Sequence, residues 1–137
     1  MTAPKYLLDT NILSDLIKNP RGLAAQRVRQ HQDELCTSII VASELRYGCA
    51  KKGSAQLLRK VEDLLGEISA LAFDVPGDSD YGRIRSDLEA GGQPIGANDL
   101  FIAAHAYCLK LTLVTANIRE FSRVRGLTVE NWLASQS

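Results

Sequence analysis

Several polar residues of this chain stand where buried segments are expected. Asp9 ends a short apolar segment, and Asp99 stands at the start of an apolar segment with helical periodicity. Asn117 and Glu120 closely follow a β-branched segment. Glu44 lies inside an almost entirely apolar run, where a carboxylate is costly to bury unless it is paired or bound to a cation. The positions of these residues therefore require a chemical explanation.

Converging acidic side chains repel each other, and their pKa values rise unless cations are present. Ligation by oxygen alone suits Mg²⁺ or Mn²⁺, which retain water and leave positions open for phosphate oxygens. Such an ion activates water and stabilises the leaving oxygen of a phosphodiester. The residues therefore predict metal-assisted phosphodiester hydrolysis. Polar neighbours that are candidates to orient the acids are Thr10, Asn11, Ser43, Asn98 and Thr115.

Each acid, taken singly, also has a structural explanation. Asp9 is a candidate turn or N-cap residue, and Asp99 would stabilise the dipole of a helix without any chemistry. Glu44 could pair with a basic residue on its own helix, Arg46 or Lys51. Glu120, which follows the β-branched segment, is typical of a solvated surface charge. The joint placement of the acids, and no single one of them, is what favours a site.

Short apolar segments alternate with longer segments of helical periodicity, which is typical of an α/β domain with a parallel sheet. The predicted strands are 5–8, 35–37, 71–73, 111–115 and 127–129. The predicted helices are 12–18, 22–32, 39–51, 55–67, 79–89, 99–109 and 118–124. The predicted helix-capping residues are Thr10, Asn11, Ser38 and Asn98. Because open parallel sheets bind ligands at the carboxyl ends of their strands, we expect the acids to meet at that edge.

Composition limits the class of protein. The chain has 137 residues, 45% of them apolar, with 16 Lys and Arg against 16 Asp and Glu, which suits one globular domain. A net charge of zero argues against a surface that is basic all over, so a polyanion would be bound locally. Three widely spaced cysteines favour neither disulfides nor zinc. No apolar run has the length of a membrane span or a signal peptide, and we expect a cytoplasmic protein.

Four short motifs occur in order along most of the chain. They are Leu7-Leu8-Asp9-Thr10-Asn11-Ile12-Leu13, Ser43-Glu44-Leu45-Arg46-Tyr47-Gly48, Asn98-Asp99-Leu100-Phe101-Ile102-Ala103-Ala104-His105-Ala106, and Val114-Thr115-Ala116-Asn117 with Glu120-Phe121. Together they resemble the successive motifs of PIN-domain ribonucleases, and their order and spacing are most similar to VapC-type toxins of bacterial toxin–antitoxin pairs. Each motif is short, and the specificity of the resemblance comes from all of them in order.

The resemblance implies an α/β/α sandwich with a short, mainly parallel central sheet, formed by one PIN-like domain over residues 1–137. It implies an endoribonuclease that depends on Mg²⁺ or Mn²⁺ and cleaves structured RNA such as tRNA. It also implies a homodimer that a VapB-type antitoxin inhibits in a larger assembly. Operator DNA would be contacted only through that antitoxin complex.

The family's site carries over residue by residue, with one departure. Thr115 matches the hydroxyl residue after the last central strand, and Arg46 is a candidate to contact the scissile phosphate or to balance the acids. Many PIN proteins have Asp where this chain has Asn117, so either Glu120 supplies the outer carboxylate or a second ion binds weakly. We expect one metal ion at rest. The candidate catalytic residues are Asp9, Glu44, Asp99, Thr115, Asn117 and Glu120, with Asp9, Glu44 and Asp99 as metal ligands.

Two other classes of function stay open at this point. A PIN-like module that binds RNA or a partner without catalysis is compatible with an amide at position 117. Such a module would bind RNA equally with or without divalent ions and leave it intact. A metal-dependent phosphatase also places an Asp at the end of its first strand, but it requires a second acid two residues later, where this chain has Asn11.

Overall fold

Residues 3–134 are described by a computed structural model, and they form a parallel sheet between layers of helices. The strands are β1 (Tyr6–Leu8), β2 (Leu35–Ser38), β3 (Ala70–Leu71), β4 (Thr112–Val114) and β5 (Val129–Glu130). The helices are α1 (Thr10–Lys18), α2 (Leu23–Gln30), α3 (Ile39–Lys52), α4 (Ala55–Glu67), α5 (Gly77–Ala90), α6 (Ala97–Cys108) and α7 (Ile118–Phe121). A 3-10 turn, Gln32–Glu34, precedes β2.

The sheet has the strand order β3-β2-β1-β4-β5, and all of its neighbouring strands are parallel. The consecutive residues Leu7 and Leu8 of the central strand are both fully buried. Because successive side chains of a strand point to opposite faces, both faces of the sheet must be covered by helices. The predicted α/β/α sandwich with a short parallel sheet is therefore confirmed.

The sheet order brings the two strands that precede the polar segments together. Leu8 at the end of β1 is in register with Val114 at the end of β4. The Asp9 backbone N–H then donates to the Val114 carbonyl across this edge at 2.9 Å. The residues that follow β1 and β4 are consequently neighbours in space, although about a hundred residues separate them in the chain.

Two of the predicted helix caps are wrong. Asp9, and neither Thr10 nor Asn11, is the N-cap of α1, because its own carboxylate accepts the Thr10 N–H. Helix α6 begins at Ala97, after Gly96 in extended backbone, so Asn98 lies inside the first turn with its side chain free for another contact. Ser38 is the N-cap of α3 as predicted, and its hydroxyl accepts the Ile40 N–H.

The connection between β3 and α5 also differs from the prediction. The strand ends at Leu71 because Phe73 leaves the sheet and packs its ring edge-on against Phe101 and His105, 5.7 and 5.4 Å between centroids. Helix α5 then begins at Gly77, where a Cβ would come within 2.7 Å of the Phe73 ring. The helix therefore starts two residues before the predicted position at the point where only glycine fits.

The core contains apolar side chains from both layers and from the end of the described chain, where Trp132 is buried. Cys36 and Cys49 are buried, and Cys108 is half-buried. Among residues 3–134, no helix combines the length and the apolar character that crossing a membrane requires.

Candidate active site

Asp9 occupies the centre of the carboxyl edge of the sheet. Its side chain is 4% exposed. One carboxylate oxygen, Oδ1, accepts the Thr10 N–H at 2.8 Å, and the other, Oδ2, accepts the Thr115 hydroxyl at 2.8 Å. Burial raises the pKa of Asp9, and these two hydrogen bonds oppose part of that shift. The carboxylate is therefore fixed in orientation and is electrostatically unfavourable without a cation.

Thr115 and Asn11 connect the ends of β1 and β4. The buried Thr115 hydroxyl accepts the Asn117 N–H at 3.0 Å and also contacts the Asn11 amide nitrogen at 3.4 Å. The Asn11 side-chain oxygen accepts the Ala116 N–H at 3.0 Å. The Asn11 contacts join the ends of β1 and β4, and the Asn117 contact orders the turn after β4. Together they fix Thr115, which donates to Asp9.

Glu44 reaches the same edge from α3. Its carboxylate accepts the Thr10 hydroxyl and, at 3.1 Å, the Asn98 amide from the first turn of α6. Arg46, one residue considered as its ion-pair partner, instead pairs with Glu62 of α4 and is not a neighbour of the acids in the described contacts. The Glu44 carboxylate is therefore hydrogen-bonded only by neutral groups, from α1 and α6.

Asp99 and Glu120 form a second pair of carboxyl groups beside Asp9. Burial, a hydrogen bond to Glu120 and the charges of the neighbouring acids raise the pKa of Asp99 to about 7. The Asn117 amide donates to Glu120 at 3.1 Å and holds it there. Near neutral pH Asp99 is therefore partly protonated in the metal-free chain. Asn117 thus orients an acid that stands three residues further along.

The chemistry of this donor set fits a divalent cation. Within residues 3–134, no Lys, Arg or His forms an ion pair with any of the four acids. In the same part of the chain, no three His, Cys, Asp or Glu side chains stand close enough to enclose an ion together. Mg²⁺ needs no such cage, because it commonly takes one or two carboxylates and keeps its waters. The residues therefore fit a hard cation with water and phosphate ligands.

A buried hydrogen bond joins the two helices that carry Glu44 and Asp99. His105 of α6 is 1% exposed, and its Nδ1 lies 2.7 Å from the hydroxyl of Ser38, the N-cap of α3. Burial lowers the pKa of His105, so the ring is neutral, and the Ala72 carbonyl opposes that shift. The Ser38 hydroxyl also accepts the Ile40 N–H, so this one side chain connects the start of α3 to α6.

The structure brings together all six predicted site residues, which are Asp9, Glu44, Asp99, Thr115, Asn117 and Glu120. Of the polar neighbours, Ser43 is not part of the site, because its hydroxyl is exposed and donates to the Ile39 carbonyl of its own helix. Asn98 contacts Glu44 and not the adjacent Asp99. The contact between Ser38 and His105 was missed because the two residues stand 67 positions apart.

Comparison with known proteins places this geometry in a family. A family model described as PIN domain matches residues 6–127. Ribonuclease VapC2 of Haemophilus influenzae is 38% identical over 130 residues, which cover 94% of this chain and 98% of the relative. The chain belongs to the PIN-domain family, among the VapC ribonucleases.

Two further relatives of this PIN domain extend the comparison. The tRNA(fMet)-specific endonuclease VapC of Shigella flexneri is 37% identical over 129 residues, 93% of this chain and 98% of the relative. A crystal structure of DNA-bound VapBC from Salmonella typhimurium contains a chain that is 35% identical, with a TM-score of 0.88 over 94% of this chain and 98% of that one. The resemblance inferred from the motifs is thus confirmed.

Proposed function

We propose that this PIN domain is an endoribonuclease toxin that hydrolyses RNA phosphodiester bonds with a divalent cation, Mg²⁺ or Mn²⁺. The observation that supports the proposal is the convergence of four carboxyl groups without a protein cation beside them in the described residues. Burial, followed by these neighbouring acids, raises the pKa of Asp99 to about 7. A bound divalent cation would supply charge compensation for the phosphodiester and favour deprotonation of water near neutral pH.

The side chains of the site have different proposed roles. Asp9, Asp99 and Glu44 are the proposed metal ligands, of which one or two would bind the ion directly and the rest through its waters, and Asp9 is fixed by Thr10 and Thr115 before any ligand binds. Glu120, held by the Asn117 amide, is positioned to orient water or to accept its proton beside Asp99. The proton held by Asp99 would leave when a cation binds, because its carboxylate then gains a positive neighbour.

The proposed substrate class is structured RNA, with tRNA as its first candidate. This rests on the relatives named tRNA(fMet)-specific endonuclease in Shigella flexneri and Salmonella typhimurium. Sequencing the ends of RNA fragments after induction of the chain would identify the RNA and the bond that is cut. Fragment ends at one position of one tRNA are the expected result, and ends spread over all RNA would contradict selectivity.

Substitution of Asp9 by Asn tests the catalytic proposal. The variant keeps a side chain of the same shape and loses the charge at the best-ordered acid of the site. We expect RNA cleavage in Mg²⁺ or Mn²⁺ to fall by at least about 1000-fold while the thermal unfolding temperature does not decrease. Asp63→Asn is the matched control, because Asp63 is an exposed acid of α4. Cleavage by Asp9→Asn at the rate of the wild type would contradict the mechanism.

A VapB-type antitoxin is the proposed inhibitor, as relatives in solved structures are VapBC complexes. An apolar cleft of about 250 Å³ between α1, α3 and α4 fits a segment of such a partner. Its walls include Ile17, Leu57 and Val61, and its rim includes the site residues Thr10 and Glu44. An occupant of the cleft would therefore cover the approach to the acids.

Gly48 offers a direct test of that cleft. It lines the cleft on α3, and a Cβ at this position meets no atom within 4 Å. Gly48→Phe should fill the cleft and weaken inhibition by the product of the adjacent antitoxin gene by at least about tenfold, with cleavage retained. Gly66→Phe on α4 is the control, because that position is also open. Equal inhibition of both variants would place the antitoxin elsewhere.

The remaining proposals concern the assembly, extent and location of the chain. We propose that the chain forms a homodimer, which the exposed Ile39 and Tyr47 of α3 support, and that it contacts operator DNA only within the antitoxin complex. Residues 1–137 as one domain and a cytoplasmic location also stay predictions. Light scattering would measure the molar mass of the isolated chain and of its antitoxin complex.

A further inference from the structure

A cleft lined by arginines lies between α5 and the segment that follows α7. Its volume is about 330 Å³, and its charged lining residues are Arg83, Arg123, Arg125 and Asp87. The cationic side chains thus outnumber the carboxylate three to one. A cleft with an excess of one sign of charge concentrates ligands of the opposite sign.

This cleft is connected through the backbone to two acids of the active site, Glu120 and Asp99. Arg123 follows α7, and its backbone N–H donates to the Glu120 carbonyl at 3.1 Å. Its guanidinium donates to the Pro94 carbonyl at 3.1 Å, two residues before Gly96, which precedes the helix that carries Asp99. Arg123 therefore connects the cleft to the two short segments that carry Glu120 and precede Asp99.

The guanidinium groups are partly pre-ordered and weakly neutralised. Arg83 stacks over the Tyr107 ring at 4.6 Å, and its ion pairs with Asp87 and Asp80 are long, 3.5 and 3.8 Å. Exposed pairs of this kind contribute little and exchange readily with another anion. Arg125 is exposed and forms no ion pair with any residue between 3 and 134. The cleft therefore keeps positive charge for a ligand.

We propose that the arginine cleft binds the sugar-phosphate backbone of the RNA substrate on one side of the bond that is cut. This inference rests on the proposed function. A site composed of carboxylates repels a polyanion, so substrate affinity must come from cations outside it, and guanidinium groups pair with phosphate oxygens in two-point geometry. Contacts to the backbone position the RNA without reading its bases.

The experiment compares two double variants of equal charge. Arg123→Gln with Arg125→Gln removes two cations from the cleft, whereas Arg29→Gln with Arg59→Gln removes two exposed arginines of α2 and α4. Arg29 is a close match for Arg123, because its guanidinium also contacts a proline carbonyl, that of Pro20. Arg125→Gln alone separates loss of charge from loss of the Arg123 contact to the segment before α6.

Binding of total tRNA is measured in chelator over a range of salt concentrations, and cleavage is measured separately with Mg²⁺ or Mn²⁺. For the cleft variant we expect about tenfold weaker binding and a salt dependence whose slope is smaller by about 1.4 to 1.8, the value for two lost phosphate contacts. KM should rise by a similar factor with kcat unchanged. Arg125→Gln should show about half of the change in slope, and the control should match the wild type.

Binding and slope equal to those of the Arg29 and Arg59 control would overturn the proposal. A fall in kcat with KM unchanged would also overturn it, because the arginines would then act on the acids and not on the RNA backbone. Absence of cleavage by the wild-type chain would contradict the proposed function alone, since binding in chelator still decides whether the cleft holds RNA.

Discussion

Two regions of this chain place their carboxylates in opposite electrostatic environments. On the surface, Glu34 contacts Lys5 at 2.8 Å and Glu62 pairs with Arg46, and these hydrogen bonds and cations lower the pKa of each acid. At the carboxyl edge of the sheet, burial raises the pKa of Asp9 and of Asp99. The same functional group is thus stabilised as an anion in one region and destabilised in the other.

The difference shows which acids the fold prepares for an external cation. A surface carboxylate with its own Lys or Arg has its charge compensated within the protein. The acids at the edge of the sheet are oriented by neutral donors such as Thr115 and Asn98, which fix their geometry without cancelling their charge. Their compensation must come from outside the chain, which is the property expected of a metal site.

Among the variants that test this comparison, Asp99→Asn should change cleavage and stability the most. Loss of this carboxylate removes a proposed ligand, so cleavage in Mg²⁺ should fall by at least about 100-fold. The same change removes like-charge repulsion, so the melting temperature of the metal-free chain should rise by about 3 °C at neutral pH. Calorimetry in chelator and a cleavage assay measure the two effects. A lower melting temperature would show that Asp99 is a stabilising residue like Glu62.

His105→Leu should have the next largest effect. It leaves the Ser38 hydroxyl without its buried partner, so the free energy of unfolding should fall by about 2 kcal/mol. Ser38→Ala should cost about 1 kcal/mol through the lost N-cap bond. In urea unfolding, the double variant should lose less than the sum of the two. Strict additivity would mean that the residues on α3 and α6 are not coupled.

The stability of the metal-free chain should depend on pH in a direction set by Asp99. Because the folded pKa of about 7 lies above the ordinary value, the folded state holds this proton more tightly than the unfolded state. Stability is therefore greatest below about pH 4 for this group and is lost as the pH rises through 7. Melting temperatures in chelator should fall over this range, and Asp99→Asn should flatten the profile. A rise over the same range in the wild type would contradict the shift.

Glu62→Gln should give the smallest effect. The ion pair with Arg46 is exposed on both sides, so its loss should leave the free energy of unfolding almost unchanged. Cleavage should be unchanged, because neither residue contacts the acids. Urea unfolding with a parallel cleavage assay measures both. A substantial loss of cleavage would show that the pair positions Glu44 through α3, and the comparison of the two regions would need revision.

Much of the fold follows from local patterns. The apolar stripe of 55–67 predicted α4 with its bounds, and Ser38 before an apolar helix predicted the start of α3. The patterns failed where tertiary contacts override them. Residue 73 is apolar and aromatic, as in a strand, but the packing of Phe73 on α6 ends β3 at Leu71.

The candidate site shows the same division. Asp9 and Asp99 were identifiable from their places at the end of a predicted strand and at the start of a predicted helix, and Glu44 because a carboxylate in an apolar run is expensive without a partner. The sequence predicted that the acids meet at one edge of the sheet, but individual contacts needed the structure, since Asp9 and Thr115 are 106 positions apart. The sequence did not decide whether Asn117 or Glu120 belongs to the site. In the structure the Asn117 amide donates a hydrogen bond to Glu120, so both side chains belong to it.

The sequence by itself determined the types of the elements, the candidate acids and the family, because periodicity, capping and motif order are local properties of the chain. Only the tertiary structure decided which carboxylates lack a cation. Arg46 stands two residues from Glu44, yet the contact of α3 with α4 directs it to Glu62. Charge compensation depends on distance and burial in three dimensions, and for that reason a chain with a net charge of zero can leave one pocket acidic.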